Sequence, residues 1–207
     1  RSLYIGKREE VFVYNESTGN FDLFYHLAGK NITLSCLHLD KNKNLWMGTT
    51  SNGIYCLSED KSLSRPVTKG NITSIYEDSS NELWIGSWEE GLYRVKTDGN
   101  IENLRHNPMN TNSLCSNFVR SCCEDNSGDL WIGTFNGLNR YDRETGKFHL
   151  YTANGNSPDG LTHSSIWCIV KDGQGTIWLG TYFGGVNYFN PEYEIYTRYK
   201  VGDTETA

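Results

Sequence analysis

A chain of 207 residues has room for one large domain or two small ones. A formal net charge of −6, with no lysine or arginine block, repels phosphate backbones and argues against nucleic acid as a partner. Glycine and aromatic residues are plentiful beside four prolines and two methionines, which suits short strands and tight turns over helices. No apolar run approaches the about 20 residues of a membrane span, so membrane contact is expected only through segments outside this sequence. The chain opens on Arg1 with no leader segment, which predicts an excised piece of a longer protein.

The first recognisable element is LYIG at Leu3–Gly6. After it come EVFVY (Glu10–Tyr14), a polar turn, and an outer strand marked by Phe21 and Phe24. A longer unit then begins with LSCLHLD (Leu34–Asp40), LWMGT (Leu45–Thr49) and GIYCL (Gly53–Leu57). The same order returns as ITSIYED (Ile72–Asp78), LWIGS (Leu83–Ser87), GLYRV (Gly91–Val95) and the pair Ile101/Leu104. It returns again as VRSCCED (Val119–Asp125), LWIGT (Leu130–Thr134), GLNRY (Gly137–Tyr141) and Phe148/Tyr151. The last copy is IWCIVKD (Ile166–Asp172), IWLGT (Ile177–Thr181), GVNYF (Gly185–Phe189) and Tyr196/Tyr199.

The aromatic anchors Tyr4, Trp46, Trp84, Trp131 and Trp178 are spaced by 42, 38, 47 and 47 residues. Four short strands per repeat of about 40–45 residues is the blade of a β-propeller. The expected fold is therefore all-β, a partial propeller of four-stranded antiparallel blades. Four blades are complete, and the first lacks its innermost strand. The units fall at approximately 1–30, 31–68, 69–110, 111–155 and 160–200 of one propeller domain spanning 1–207. Closing a five-blade ring would require the tail Val201–Ala207 to supply the missing strand. That tail is short and polar and unlike ITSIYED, so an open ring is expected.

Each tryptophan is expected to fill the gap between neighbouring blades. The glycine two residues later leaves room for the next sheet. Aspartate ending the innermost strand suits a turn in which its carboxylate receives the backbone N–H two residues on. The six cysteines show no CxxC spacing, and Cys36 and Cys168 share a repeat position with Ser74 and Ser121. Buried structural thiols are expected, with no disulfide, metal site or cofactor.

The run from Ser113 to Phe148, including LWIGT, GL, YD and TGKF, resembles the two-component regulator propeller repeat. NPMNTNSL at Asn107–Leu114 resembles the linker between such blades, and the likeness extends through essentially the whole chain. The resemblance implies the periplasmic sensor region of a hybrid two-component histidine kinase of the Bacteroidetes type. It further implies an oligosaccharide ligand and a homodimer in the full-length protein, with signalling through a membrane to a kinase outside this sequence.

Two loop sets form the binding face of a propeller: those joining the second and third strands, and those joining blades. The first set reads TTSN (Thr49–Asn52), SWEE (Ser87–Glu90), TFN (Thr134–Asn136) and TYFG (Thr181–Gly184). Aromatic planes at Trp88, Phe135, Tyr182 and Phe183, beside Glu89, Glu90 and Asn136, suit a sugar with one apolar face and a hydroxyl rim. The competing reading is that these rings plug the central channel. Arg120 and Trp167 replace the small Ser35 and Thr73 at one repeat position, within reach of the channel mouth. For Arg120 the residues favour an ion pair with a neighbouring carboxylate. The candidate ligand-binding residues are Trp88, Glu89, Phe135, Asn136, Tyr182, Phe183, Arg120 and Trp167.

Catalysis is disfavoured. Of His26, His38, His106, His149 and His163, only His163 sits on a candidate face loop, and no nucleophile–base pair stands out. Asp125, Gly128 and Trp131 miss the sialidase Asp-box spacing by one residue, and DNSGD at Asp125–Asp129 lacks a calcium loop's acidic complement in the other copies. The remaining alternative is a propeller that serves as a protein-interaction scaffold.

Overall fold

The computed structural model describes residues 2–28, 32–153, 160–191 and 195–199. Among these there is no helix, and nineteen strands form five antiparallel sheets. The first sheet has three strands, β1 (Tyr4–Lys7), β2 (Glu10–Asn15) and β3 (Asn20–His26). The second runs β4 (Leu34–Leu39), β5 (Leu45–Thr49), β6 (Ile54–Leu57) and β7 (Leu63–Val67). The third runs β8 (Ile72–Glu77), β9 (Leu83–Ser87), β10 (Leu92–Val95) and β11 (Ile101–Leu104). The fourth holds β12 (Val119–Glu124), β13 (Leu130–Thr134), β14 (Gly137–Asp142) and β15 (Lys147–Tyr151). The fifth holds β16 (Ile166–Lys171), β17 (Ile177–Thr181), β18 (Gly185–Asn190) and β19 (Ile195–Tyr199).

Every sheet pairs its strands in sequence order, the meander of a propeller blade. The first sheet opens on the strand equivalent to the tryptophan strand, so the blade without an inner strand is as expected. The tail Val201–Ala207, which would have had to supply that strand, lies outside the described residues.

The sheets pack face to face through the repeat's apolar residues. Trp84 and Trp131 are fully buried, each among residues of its own blade and the next. Trp84 lies in one core with Val119, Cys122 and Ile132, and Trp131 in another with Ile166, Ile169 and Leu179. Removing an indole of this kind from water is worth on the order of 4–6 kcal/mol before entropic costs. Among the described residues no sheet follows that of Trp178, which is 37% exposed, beside the exposed Val170 and Val186. At the other end Leu3, Ile5 and Leu23 of the first sheet are likewise exposed.

The repeat glycine has the steric role its position suggested. A Cβ on Gly133 would stand 2.8 Å from Ile166 Cγ2, and one on Gly48 would stand 2.8 Å from Ile72 Cγ2. The first residue of each innermost strand thus docks against the bare glycine of the preceding blade.

The aspartate does more than shape its turn. Asp125 Oδ1 accepts the backbone N–H groups of Ser127 (2.9 Å) and Asp129 (3.0 Å), while Oδ2 accepts the indole N–H of Trp131 at 2.7 Å. The indole bond recurs at Trp46–Asp40 (2.8 Å), Trp84–Asp78 (2.7 Å) and Trp178–Asp172 (2.9 Å). One carboxylate therefore closes the hairpin turn and satisfies the polar atom of a buried ring.

One cysteine is not buried as the repeat position suggests. All six thiols are free, and Cys122 and Cys123 are buried, but Cys168 is exposed. Its side of β16 is the uncovered face of the last sheet, so the repeat position that buries Ser74 and Ser121 partway leaves Cys168 open.

Asp125→Ala strands three donors in a buried setting and should cost about 3 kcal/mol or more. Asp172→Ala removes the same bonds around an exposed ring and should cost less than half as much. Thermal unfolding of the two variants measures the difference, and equal shifts would remove the distinction between covered and uncovered copies.

Candidate functional site

The loops after each tryptophan strand are built alike. Thr49, Ser87, Thr134 and Thr181 donate their hydroxyls to the carbonyls of Gly53, Gly91, Gly137 and Gly185, at 2.7 to 2.9 Å. The next backbone N–H reaches sideways. Thr50 donates to Thr33, Trp88 to Asn71, Phe135 to Phe118 and Tyr182 to Ser165, each acceptor directly preceding an innermost strand. Face loop and blade entry are thereby fixed side by side.

At that entry each innermost strand carries a β-bulge. The register with the tryptophan strand shifts between Leu34 and Cys36, Ile72 and Ser74, Val119 and Ser121, and Ile166 and Cys168. The extra residue in each case is Ser35, Thr73, Arg120 or Trp167. A bulge re-aims a side chain out of the ordinary alternation. All four extra residues line a single cavity of about 500 Å³, together with Asn71, Ile72, Trp88, Ser121 and Cys168. That volume lies within the about 300–1,000 Å³ of small-molecule sites.

Arg120 sits between two indoles. Its guanidinium carbon is 3.9 Å from the Trp88 ring centroid and 4.0 Å from that of Trp167. The ion pair favoured for Arg120 is absent: among the described residues no carboxylate approaches it, and no protein acceptor takes its N–H groups. One acid of the neighbouring face loop is engaged elsewhere. Glu90 receives Arg105 and Lys69, and hydrogen bonding from Arg105 holds its carboxyl below the ordinary range. Partial burial lowers the Arg120 pKa from its ordinary value, opposed by nearby Tyr182, and the group remains a cation at neutral pH.

The cation belongs to a longer row. Trp167 stacks on Tyr182 (centroids 5.7 Å apart, planes 20° apart), and Tyr182 touches Phe183 at 4.2 Å. On the other side Trp88 meets Phe118 edge-on at 5.5 Å, and Phe118 meets Phe135 at 6.2 Å. Phe183 is 90% exposed with φ of 65°, left-handed backbone that a bulky residue seldom adopts. Trp167, Tyr182 and Phe135 are also exposed.

Six of the eight sequence candidates thus join one continuous row: Trp88, Phe135, Tyr182, Phe183, Arg120 and Trp167. Glu89 and Asn136 are exposed on the same loops, but neither lines the cavity. Phe118, Asn71 and Ser121 escaped the sequence reading. Phe118 and Asn71 precede an innermost strand, and the sideways backbone bond that ties such residues to the face loops has no sequence signature. His163 accepts the Ser165 backbone N–H through Nδ1, closing the linker beside the site. Among the described residues no group of three His, Cys, Asp or Glu is placed to hold a metal ion.

A family profile described as the two component regulator propeller matches residues 26–51, 66–89, 113–136 and 160–183. These four repeats belong to the two component regulator propeller family. Each matched segment of the family ends inside a face loop, at Ser51, Glu89, Asn136 or Phe183, and so contains both the bulge and the loop that shape the mouth. No curated protein matches the chain.

Solved structures share the fold. PorZ of Porphyromonas gingivalis, described as an essential surface component of the type-IX secretion system, aligns with a TM-score of 0.73 at 13% identity. That alignment covers 98% of this chain and 33% of PorZ. Virginiamycin B lyase from Staphylococcus aureus aligns with a TM-score of 0.71 at 16% identity, covering 96% of this chain and 65% of the lyase. The extracellular domain of a putative hybrid two component system from B. thetaiotaomicron aligns with a TM-score of 0.46 at 24% identity. There the coverage is 92% of this chain and 30% of that one, so the chain spans less than two thirds of each of these three structures.

The cysteines report on the mouth. Burial pushes the Cys123 thiol up to about 12 and raises that of Cys122 as well, whereas Cys168 is exposed on the cavity wall. A maleimide under native conditions should label Cys168 first, with Cys122 and Cys123 reacting only after unfolding. Peptide mapping of the adduct checks this, and equal labelling of Cys122 would contradict the packing between the third and fourth blades.

Proposed function

We propose that this chain is part of the extracytoplasmic, ligand-sensing propeller of a hybrid two-component sensor kinase, and that its mouth takes an oligosaccharide. Binding is passed across the membrane, from a periplasmic homodimer, to a histidine kinase outside these residues. The propeller binds its ligand and does not transform it.

One observation carries the reading. An aromatic row, exposed at Phe135, Tyr182 and Phe183, passes through a cavity of about 500 Å³ lined by its Trp88 and Trp167, with Ser35, Asn71, Thr73 and Ser121 among the remaining walls. A pyranose offers an apolar C–H face to such rings and hydroxyls to groups such as Ser35 and Asn71, neither of whose side chains hydrogen-bonds to another blade among the described residues. The family supports the sensor assignment, since the matched repeats are named for two-component regulators. The residues of the mouth differ between blades while those of the wall repeat, as a site on a rigid scaffold requires.

Thermal unfolding across a panel of plant, algal and host oligosaccharides tests the proposal. At least one should raise the midpoint by several degrees, as expected for ligand at about 100 times its Kd. Trp88→Ala or Tyr182→Ala should abolish that shift while leaving the unliganded midpoint within a few degrees of the parent. An unchanged response in both variants would move the site away from the mouth. A uniformly silent panel would favour the protein-interaction scaffold.

A further inference from the structure

The guanidinium of Arg120 has five N–H donors in one plane. Its flanks are occupied by Trp88 and Trp167, at 3.9 and 4.0 Å, and rings accept a cation through their faces without accepting its in-plane hydrogens. Those hydrogens meet no protein acceptor among the described residues, and none of the cavity-lining residues is an acid. Other arginines of the chain are spent differently. Arg94 binds Glu82, Arg105 binds Glu90, and Arg143 binds Asp78 and Glu124. In the corresponding blade position Thr73 also has a protein partner, donating its hydroxyl to the Val119 carbonyl at 2.6 Å.

Arg120 therefore stands as a positive group in a negatively charged chain, gripped on both sides and unpaired along its edge. Two aromatic contacts restrict its rotamers in advance, which lowers the ordering cost when a ligand arrives. A planar fork of donors matches a carboxylate in bidentate fashion and also suits the oxygens of a sulfate ester. A neutral sugar would use the fork only through hydroxyls and would leave the charge uncompensated.

We infer that the ligand is an acidic saccharide, whose carboxylate or sulfate oxyanion is held by the Arg120 fork while an adjoining sugar ring lies against the exposed end of the row at Tyr182 and Phe183. This inference rests on the mouth being a saccharide site. The bulge at Arg120 is the device that makes the recognition possible, since an unbulged strand would return the side chain to the ordinary inward and outward alternation of the sheet. Asn71 and Ser35, on the cavity wall, are the neutral partners for the sugar hydroxyls.

Calorimetric titration of the full chain with three matched panels tests the inference. The first contains oligomers of galacturonic, glucuronic and mannuronic acid; the second contains their carboxyl-reduced neutral counterparts; the third contains sulfated neutral oligosaccharides. At least one member of the acidic panels should bind, weaken with added salt, and lose about tenfold to hundredfold in affinity with Arg120→Gln. Arg120→Lys, which keeps the charge and loses the fork, should retain a carboxylate ligand poorly and a sulfate ligand better. That difference separates the two oxyanion sources. Unfolding midpoints of both variants within a few degrees of the parent establish that they fold. Binding of neutral members with Arg120→Gln unaffected would overturn the inference and leave the saccharide reading standing. Silence of all three panels would overturn both.

Discussion

Each four-stranded blade depends on one carboxylate that serves two purposes. Asp125 gathers two backbone N–H groups of its own hairpin and the indole N–H of Trp131, at 2.7 to 3.0 Å. The first pair fixes how the innermost strand turns into the next. The third bond lets a large ring enter the space between blades without an unsatisfied donor. Without it the most apolar residue of the repeat would carry a penalty into the core. With it the ring packs with Ile166 and Leu179 of the following sheet in one core. The bare glycine two residues later receives the first side chain of that same sheet. Turn, ring and glycine are three consequences of one packing problem.

A wall fixed in this way leaves the inner rim free to differ. The bulge at the second residue of every innermost strand sits outside the latch and outside the glycine contact. Its side chain is released from the sheet's alternation and delivered to the cavity. Small residues there, Ser35 and Thr73, keep the mouth open on one side. Large ones, Arg120 and Trp167, furnish it on the other. The face loops add Trp88, Tyr182 and Phe183 through a backbone bond to the blade entry, so the row of rings is anchored to the rigid part of each blade. Function and fold are divided between adjacent residues of the same strand.

The scaffold was legible because its signals are local and repeated. LWIGT with its aspartate six residues upstream of the tryptophan recurs four times, and period, strand order and the missing first strand all follow from alignment of the copies. The outer strand β7 was less visible. It was not marked by an apolar or aromatic pair as the other outer strands were, and it contains Pro66, which an edge strand tolerates because one side has no ladder to complete. The indole–aspartate bond was also hidden, since a turn-forming aspartate and a core tryptophan each have a sufficient explanation alone. At the mouth the loop aromatics and the substituted position at Arg120 and Trp167 could be found by comparing copies. What surrounds Arg120 could not. A lone arginine in an acidic chain suggests an ion pair, and only the three-dimensional arrangement places two indoles where a carboxylate was expected.

The central claim is that the rim residues carry recognition while the latch carries the fold. The most direct measurement gives the two furnished bulges the residues of the unfurnished ones, as the double variant Arg120→Thr and Trp167→Ser. The unfolding midpoint and the oligosaccharide-induced shift are then recorded on the same sample. The expected result is a midpoint within a few degrees of the parent and no remaining ligand shift. A ligand shift that survives the exchange, in a protein that still folds, would contradict it.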